Sequence, residues 1–125
     1  MAQVTVRGDG TEVVVRLGLR EAAAARRRTV RFPASELRRV TVEPSWWRVL
    51  RGEAGRGVWL PGRCVGVRHE LTGTDFVAVR AEAPALCVDL GAGAPFRRVA
   101  VCVPRPEQTA RELRSLVPAD LPPDA

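Results

Sequence analysis

Few side chains in this chain could do chemistry. There is one histidine, His69, and there are three cysteines, Cys64, Cys87 and Cys102. A thiolate–imidazole pair is the obvious nucleophilic device, but Cys64 and His69 are five positions apart. On one strand that odd separation puts them on opposite faces. Ser35, Ser45 and Ser115 stand in no G-x-S-x-G context, so a strained nucleophile elbow is not indicated. Asp75, Glu82 and Asp89 could supply paired carboxylates, yet each reads as a surface acid in or beside a turn. Gly91-Ala92-Gly93 lacks the lysine and the strand-to-helix setting of a phosphate cradle. The cysteines have no C-x-x-C spacing, and one histidine cannot complete a zinc set with them. Flanked by apolar residues, they read as small buried hydrophobes of a protein in a reducing cytoplasm. The expectation is a protein that is not an enzyme and has no catalytic residue, metal ligand or cofactor.

Binding is the remaining class. The net charge is +6, and every basic residue is an arginine. The absence of lysine, beside abundant Ala, Gly, Val and Pro, reads as codon bias of a GC-rich genome. Residues 1–39 hold nine arginines against Asp9, Glu12, Glu21 and Glu36, so most of the excess charge lies in the first third. Arg20, Arg26, Arg27, Arg28 and Arg31 are therefore candidate anion-binding residues, since guanidinium forks match phosphate oxygens. An equal account of Arg26–Arg28 is structural: in the last turn of a helix they would complement its dipole. Trp46 and Trp47 are the second candidate. Two adjacent rings cannot both point inward from a strand, so an exposed tryptophan with Arg48 and Arg51 would make a protein-contact hot spot or a membrane-interface anchor. The competing account has both rings packed over an open sheet edge under arginine stems. The arginines are not interleaved with aromatics, so nucleic acid is not indicated.

The elements that must position these residues are mostly strands. Val4 and Val6 alternate with polar residues, Gly8-Asp9-Gly10 makes a turn, and Val13, Val15 and Leu17 return as the second arm of a hairpin. Four consecutive alanines within 18–28 read as a helix of two to three turns. Strands follow at 29–32, with Val30 and Phe32 inward, and at 38–43, with Val40 and Val42 inward; Pro33 to Glu36 forms the turn between them. Residues 44–57 are the least legible: Trp46 to Leu50 fit one helical turn or a packed loop, and Gly52, Gly55 and Gly57 mark an open loop. Strands are then expected at 58–60, 63–70, 75–81, 85–90 and 96–103. Pro106 suits the first position of a helix, with Ala110, Leu113 and Leu116 or Val117 as its apolar stripe. Pro118, Pro122 and Pro123 stop it, leaving a Pro-rich tail at 118–125. The length fits one domain, placed at 1–117. No stretch resembles a signal peptide, and no apolar run is long enough to span a bilayer.

Many antiparallel strands followed by one amphipathic helix resemble the pleckstrin-homology superfold as it occurs in small actinobacterial proteins. The likeness is carried by 30–40 (VRFPASELRRV), by 76–80 (FVAVR) with 84–90 (PALCVDL), and by 96–101 (FRRVAV) with 106–110 (PEQTA). It implies a mainly β fold with helices: a partly open antiparallel barrel plugged at one end by the C-terminal helix. A sandwich with a terminal helix would fit the same order of elements. The resemblance carries a fold and no catalytic signature, because function lives in sites rather than folds. The expected role is a bacterial interaction module for an unknown protein partner or a second copy of itself. The alternative is peripheral binding of anionic lipid or phosphate groups at the arginine-rich edge.

Overall fold

The computed structural model describes residues 1–118. The fold is mainly β, with two sheets and two helices. Strands β1 (Gln3–Arg7), β2 (Glu12–Arg16) and β3 (Thr29–Pro33) form an antiparallel three-stranded sheet. Helix α1 (Leu19–Ala25) is inserted between β2 and β3. A six-stranded sheet takes the order β4-β8-β9-β7-β6-β5, from β4 (Leu37–Glu43), β8 (Ala85–Leu90), β9 (Arg98–Val101), β7 (Gly73–Arg80), β6 (Arg63–Glu70) and β5 (Glu53–Leu60). Helix α2 (Pro106–Arg114) closes the described chain.

The valine-rich composition explains this arrangement, since β-branched side chains suit a pleated surface. Val13, Val15, Val30 and Phe32 of the small sheet face Phe76, Leu86, Val88, Val99 and Val101 of the large one across the main core. Ala110 and Leu113 of α2 are buried in that core, with Leu116 and Val117 packed beside them. Arg114 Nε donates 2.9 Å to the Val40 carbonyl, tying α2 to β4. Ala2 N–H donates to the Cys102 carbonyl at 3.2 Å, joining the start of the small sheet to the end of β9. The opposite face of the large sheet carries a smaller core of Val77, Val79, Ala100 and Cys102. Trp46, Val49 and Leu50 cover it, from the 3₁₀ turn Trp46–Val49 and the residue after it.

Several expectations need correction. The sheet is not wholly antiparallel: β9 runs parallel to β7, with Asp75 beside Arg98 and Ala78 beside Val101. Hydrogen bonding runs within each of the two sheets and forms no closed barrel, which the expected partly open one does not require. Residues 53–57, read as an open loop, belong to β5; Gly57 and Gly66 pair across β5 and β6, so close that a side chain on either would run into the other's backbone. Helix α1 ends at Ala25, because Arg26 adopts the left-handed conformation at φ 56°. The arginine triplet thus follows the helix, and none of it lies in the last turn. Of the proline-rich tail, 119–125 lie outside the described residues.

Candidate functional site

The outer face of the large sheet carries a row of charges set by register. Arg39 stands opposite Asp89, Asp89 opposite Arg98, Arg98 beside Asp75, and Asp75 opposite Arg68. Five adjacent strands thus present alternating positive and negative side chains on one face, each pair about 5 Å apart at Cα. Two acids of the row are closed into tight ion pairs. Arg98 Nε donates 2.7 Å to Asp89 Oδ1. Asp75, with no exposed surface, accepts two bonds from Arg51: 2.6 Å from Nε to Oδ2 and 3.0 Å from Nη2 to Oδ1. Glu70 lies 3.7 Å from the same guanidinium. Arg68 turns away from Asp75 and donates to the carbonyls of Arg51 and Gly52, both at 2.9 Å. It also lies over the Trp59 ring at 5.0 Å.

Charge follows from this geometry. The hydrogen bond to Asp75 raises the Arg51 pKa above its ordinary value, outweighing the opposing effect of burial. Burial pushes Arg98 down, but the Asp89 hydrogen bond and the nearby charges reverse it, and the net shift is upward. Both guanidiniums are fixed cations, held from behind by carboxylates.

Beside this row is a cavity of about 210 Å³ lined by Arg38, Arg51, Thr72, Asp89, Arg97 and Arg98. The register of β4 shifts between Leu37 and Arg39, so Arg38 is the extra residue of a bulge. A bulge re-aims a side chain; Arg38 donates to the Ser35 and Leu37 carbonyls and to Glu36 Oε2, at 2.9, 3.2 and 3.5 Å. Arg97 is held through its backbone: its N–H donates to the Thr74 carbonyl and its carbonyl accepts from Leu90 N–H, both at 2.8 Å. Its stem lies over Gly73.

The candidate interface residues divide. Trp46 packs into the smaller core, while Trp47 is 56% exposed with the Arg48 guanidinium 5.2 Å over its ring. Arg51, partly exposed, is turned to Asp75 and holds it through Nε and Nη2. Trp47 and Arg48 form the exposed pair, on a turn anchored by Val49 below it and Arg51 beyond it.

The candidate anion-binding arginines do not converge. Arg20 lines a cavity with Met1, Glu21, Arg63 and Arg80. Arg27 stacks over Phe96 at 5.3 Å and Phe76 at 5.8 Å, beside Arg26. Arg28 shares a cavity with Arg16, Leu17 and Leu19. Arg31 lies on the outer face of the small sheet, 3.5 Å from Glu12.

Asp75 and Asp89 lie in strands, where the sequence places them, but each is bound in an ion pair and is not a free surface acid. The signal was present. Asp75 has the parity of Val77 and Val79, so an acid there shares a face with buried valines and requires a partner. The three cysteines are free and buried, and burial raises each thiol pKa. Among the described residues, no group of three or more His, Cys, Asp or Glu side chains is placed to hold a metal, and no helix is long and apolar enough to cross a membrane. Compared with protein-family models, curated proteins and solved structures, the chain has no match.

Proposed function

We propose that this chain is a non-enzymatic interaction module of pleckstrin-homology-like type that binds a protein partner through the surface of Trp47 and Arg48. A mainly β fold ending in an amphipathic helix supports the family reading. The free, buried cysteines support a reducing cytoplasmic setting. The observation that carries the function is the exposure of Trp47 on a turn fixed from both sides. A large ring held in water by a rigid backbone contributes little to its own fold. On association it buries much apolar area at little conformational cost, which is how tryptophan and arginine come to dominate interfaces. The anionic-surface alternative has less support, because Arg20, Arg27 and Arg28 lie in three separate surroundings, and Arg31, whose cavity adjoins that of Arg28 at Arg16 and Thr29, is 3.5 Å from Glu12.

The test compares Trp47→Ser with wild type. Proteins from the native host retained by wild type and lost by the variant are identified, then purified and titrated calorimetrically. Trp47→Ser is expected to weaken a direct complex about tenfold or more while leaving the thermal midpoint unchanged. Equal affinity for both proteins refutes the assignment. Salt-sensitive binding to anionic vesicles, abolished by replacing Arg26, Arg27 and Arg28 with Ala, would establish the alternative instead.

A further inference from the structure

We infer that the arginine-lined cavity beside the charge row is a receptor for one carboxylate of a partner polypeptide, with Arg97 as its principal ligand. The inference deepens the protein-partner reading and rests on it. Its basis is an inventory of donors. Arg51 spends Nε and Nη2 on Asp75, leaving Nη1. Arg98 spends Nε on Asp89, leaving both terminal nitrogens. Arg38 spends both Nη1 and Nη2 on Ser35, Leu37 and Glu36. Arg97 forms no side-chain hydrogen bond or ion pair among the described residues, although its backbone is pinned to Thr74 and Leu90 and its stem to Gly73. The cavity therefore holds one guanidinium with every N–H free and a fixed base, that of Arg97, beside the free terminal nitrogens of Arg98 and the free Nη1 of Arg51. A planar carboxylate accepts two parallel bonds from such a fork and has lone pairs left for Arg98 or Arg51.

Charge and size select the ligand. The four lining arginines are matched by Glu36, Glu70, Asp75 and Asp89 in or against the same cluster. A dianion would bring two negative charges against Asp89, which itself lines the cavity. A monoanion places one charge on the fork without a carboxylate partner. The cavity, about 210 Å³, is open to solvent on one side. That accommodates a carboxylate and its short stem, whether an Asp or Glu side chain or a chain terminus.

The experiment follows the Nε–H resonances of Arg97 and Arg98 in the full chain by ¹⁵N NMR, the Arg98 signal serving alone in the Arg97 variants. Four probes are added: Ac-Gly-Asp-Gly-NH2, Ac-Gly-Gly-OH, the neutral Ac-Gly-Asn-Gly-NH2, and inorganic phosphate. Saturable shifts with either carboxylate peptide and none with the asparagine peptide are expected, and the tighter of the two identifies side chain or terminus. Arg97→Gln should weaken the favoured peptide about tenfold or more. Arg97→Lys, which keeps the charge but not the fork, should stay weakened at least severalfold. Thermal melts of both variants confirm that they are folded. Wild-type affinity in Arg97→Lys overturns fork recognition, and tighter binding of phosphate than of either carboxylate overturns the ligand class. No saturable shift with any probe overturns the site. Loss of the carboxylate response with Trp47-dependent partner binding intact would fail this inference alone; the reverse result would fail the proposed contact surface.

Discussion

Replacing Arg51 with alanine strands a carboxylate. Asp75 has no exposed surface, and its two hydrogen bonds, at 2.6 and 3.0 Å, both come from Arg51. Removing one partner of a buried pair typically costs about 3–5 kcal/mol, because the remaining charge is left without compensation. The Arg51 side chain is itself 33% exposed, so its loss opens a path for water to Asp75. The low end, about 3 kcal/mol, is the expected cost. The reverse deletion is milder. In Asp75→Ala, Arg51 keeps Glu70 at 3.7 Å and a partly hydrated guanidinium, so about 1–2 kcal/mol is expected. The double variant should then fall short of the sum by about 2 kcal/mol. Urea unfolding of the four proteins at neutral pH measures all three quantities, provided the slopes agree. Additivity within about 0.5 kcal/mol, or a cost below about 1 kcal/mol for Arg51→Ala, would show that the pair behaves as a surface contact and would refute the reasoning.

Two further perturbations test other parts of the molecule. Leu113, 1% exposed in the main core, should cost about 3 kcal/mol when cut to alanine; a loss below about 1 kcal/mol in urea would mean that α2 is not part of the folding unit. The thiols predict a pH dependence. Burial raises the folded pKa of Cys64, Cys87 and Cys102 above the ordinary 9.0, so the native state holds these protons more tightly than the unfolded chain. Their contribution is fully present below that ordinary value and is lost as pH rises through the raised folded values, at up to about 1.4 kcal/mol per pH unit for each thiol. Stability curves between pH 7 and 10.5 should show this fall in wild type and a shallower one in the triple Cys→Ala variant; parallel curves would refute it.

The parts of the fold legible in the sequence are those decided by local chemistry. Gly8-Asp9-Gly10 needs three positive φ angles in succession, and its residues tolerate them. Strand β8 occupies 85–90 as its alternation predicts, and α2 begins at Pro106 because proline suits a first helical turn. The misread parts depend on what lies across the sheet. Glycines weaken a strand locally, so 53–57 read as a loop; yet Gly57 and Gly66 are the pairing that lets β5 and β6 approach. The crossover that sets β9 parallel to β7 has no local signature, because its register joins residues some two dozen positions apart.

The site was illegible for the same reason, and its parts show how it could have been found. Asp89, Arg98, Asp75 and Arg68 are scattered in sequence, and only the order β8-β9-β7-β6 turns them into alternating charges on one face. The arginines singled out by clustering, Arg26 to Arg28, are adjacent in sequence, but Arg27 stacks on Phe76 and Phe96 beside Arg26 while Arg28 lines a different cavity. Adjacency in sequence therefore favoured the arginines that the fold separates. Parity within a strand favoured the ones it gathers: Asp75 shares a face with Val77 and Val79, and Asp89 with Cys87. An acid on a face of otherwise buried residues is costly without a cation, so each such acid identifies an arginine held elsewhere in the chain. Followed outward from Asp75 and Asp89, that rule leads to Arg51 and Arg98, and from them to the cavity where the Arg97 guanidinium has no partner among the described residues.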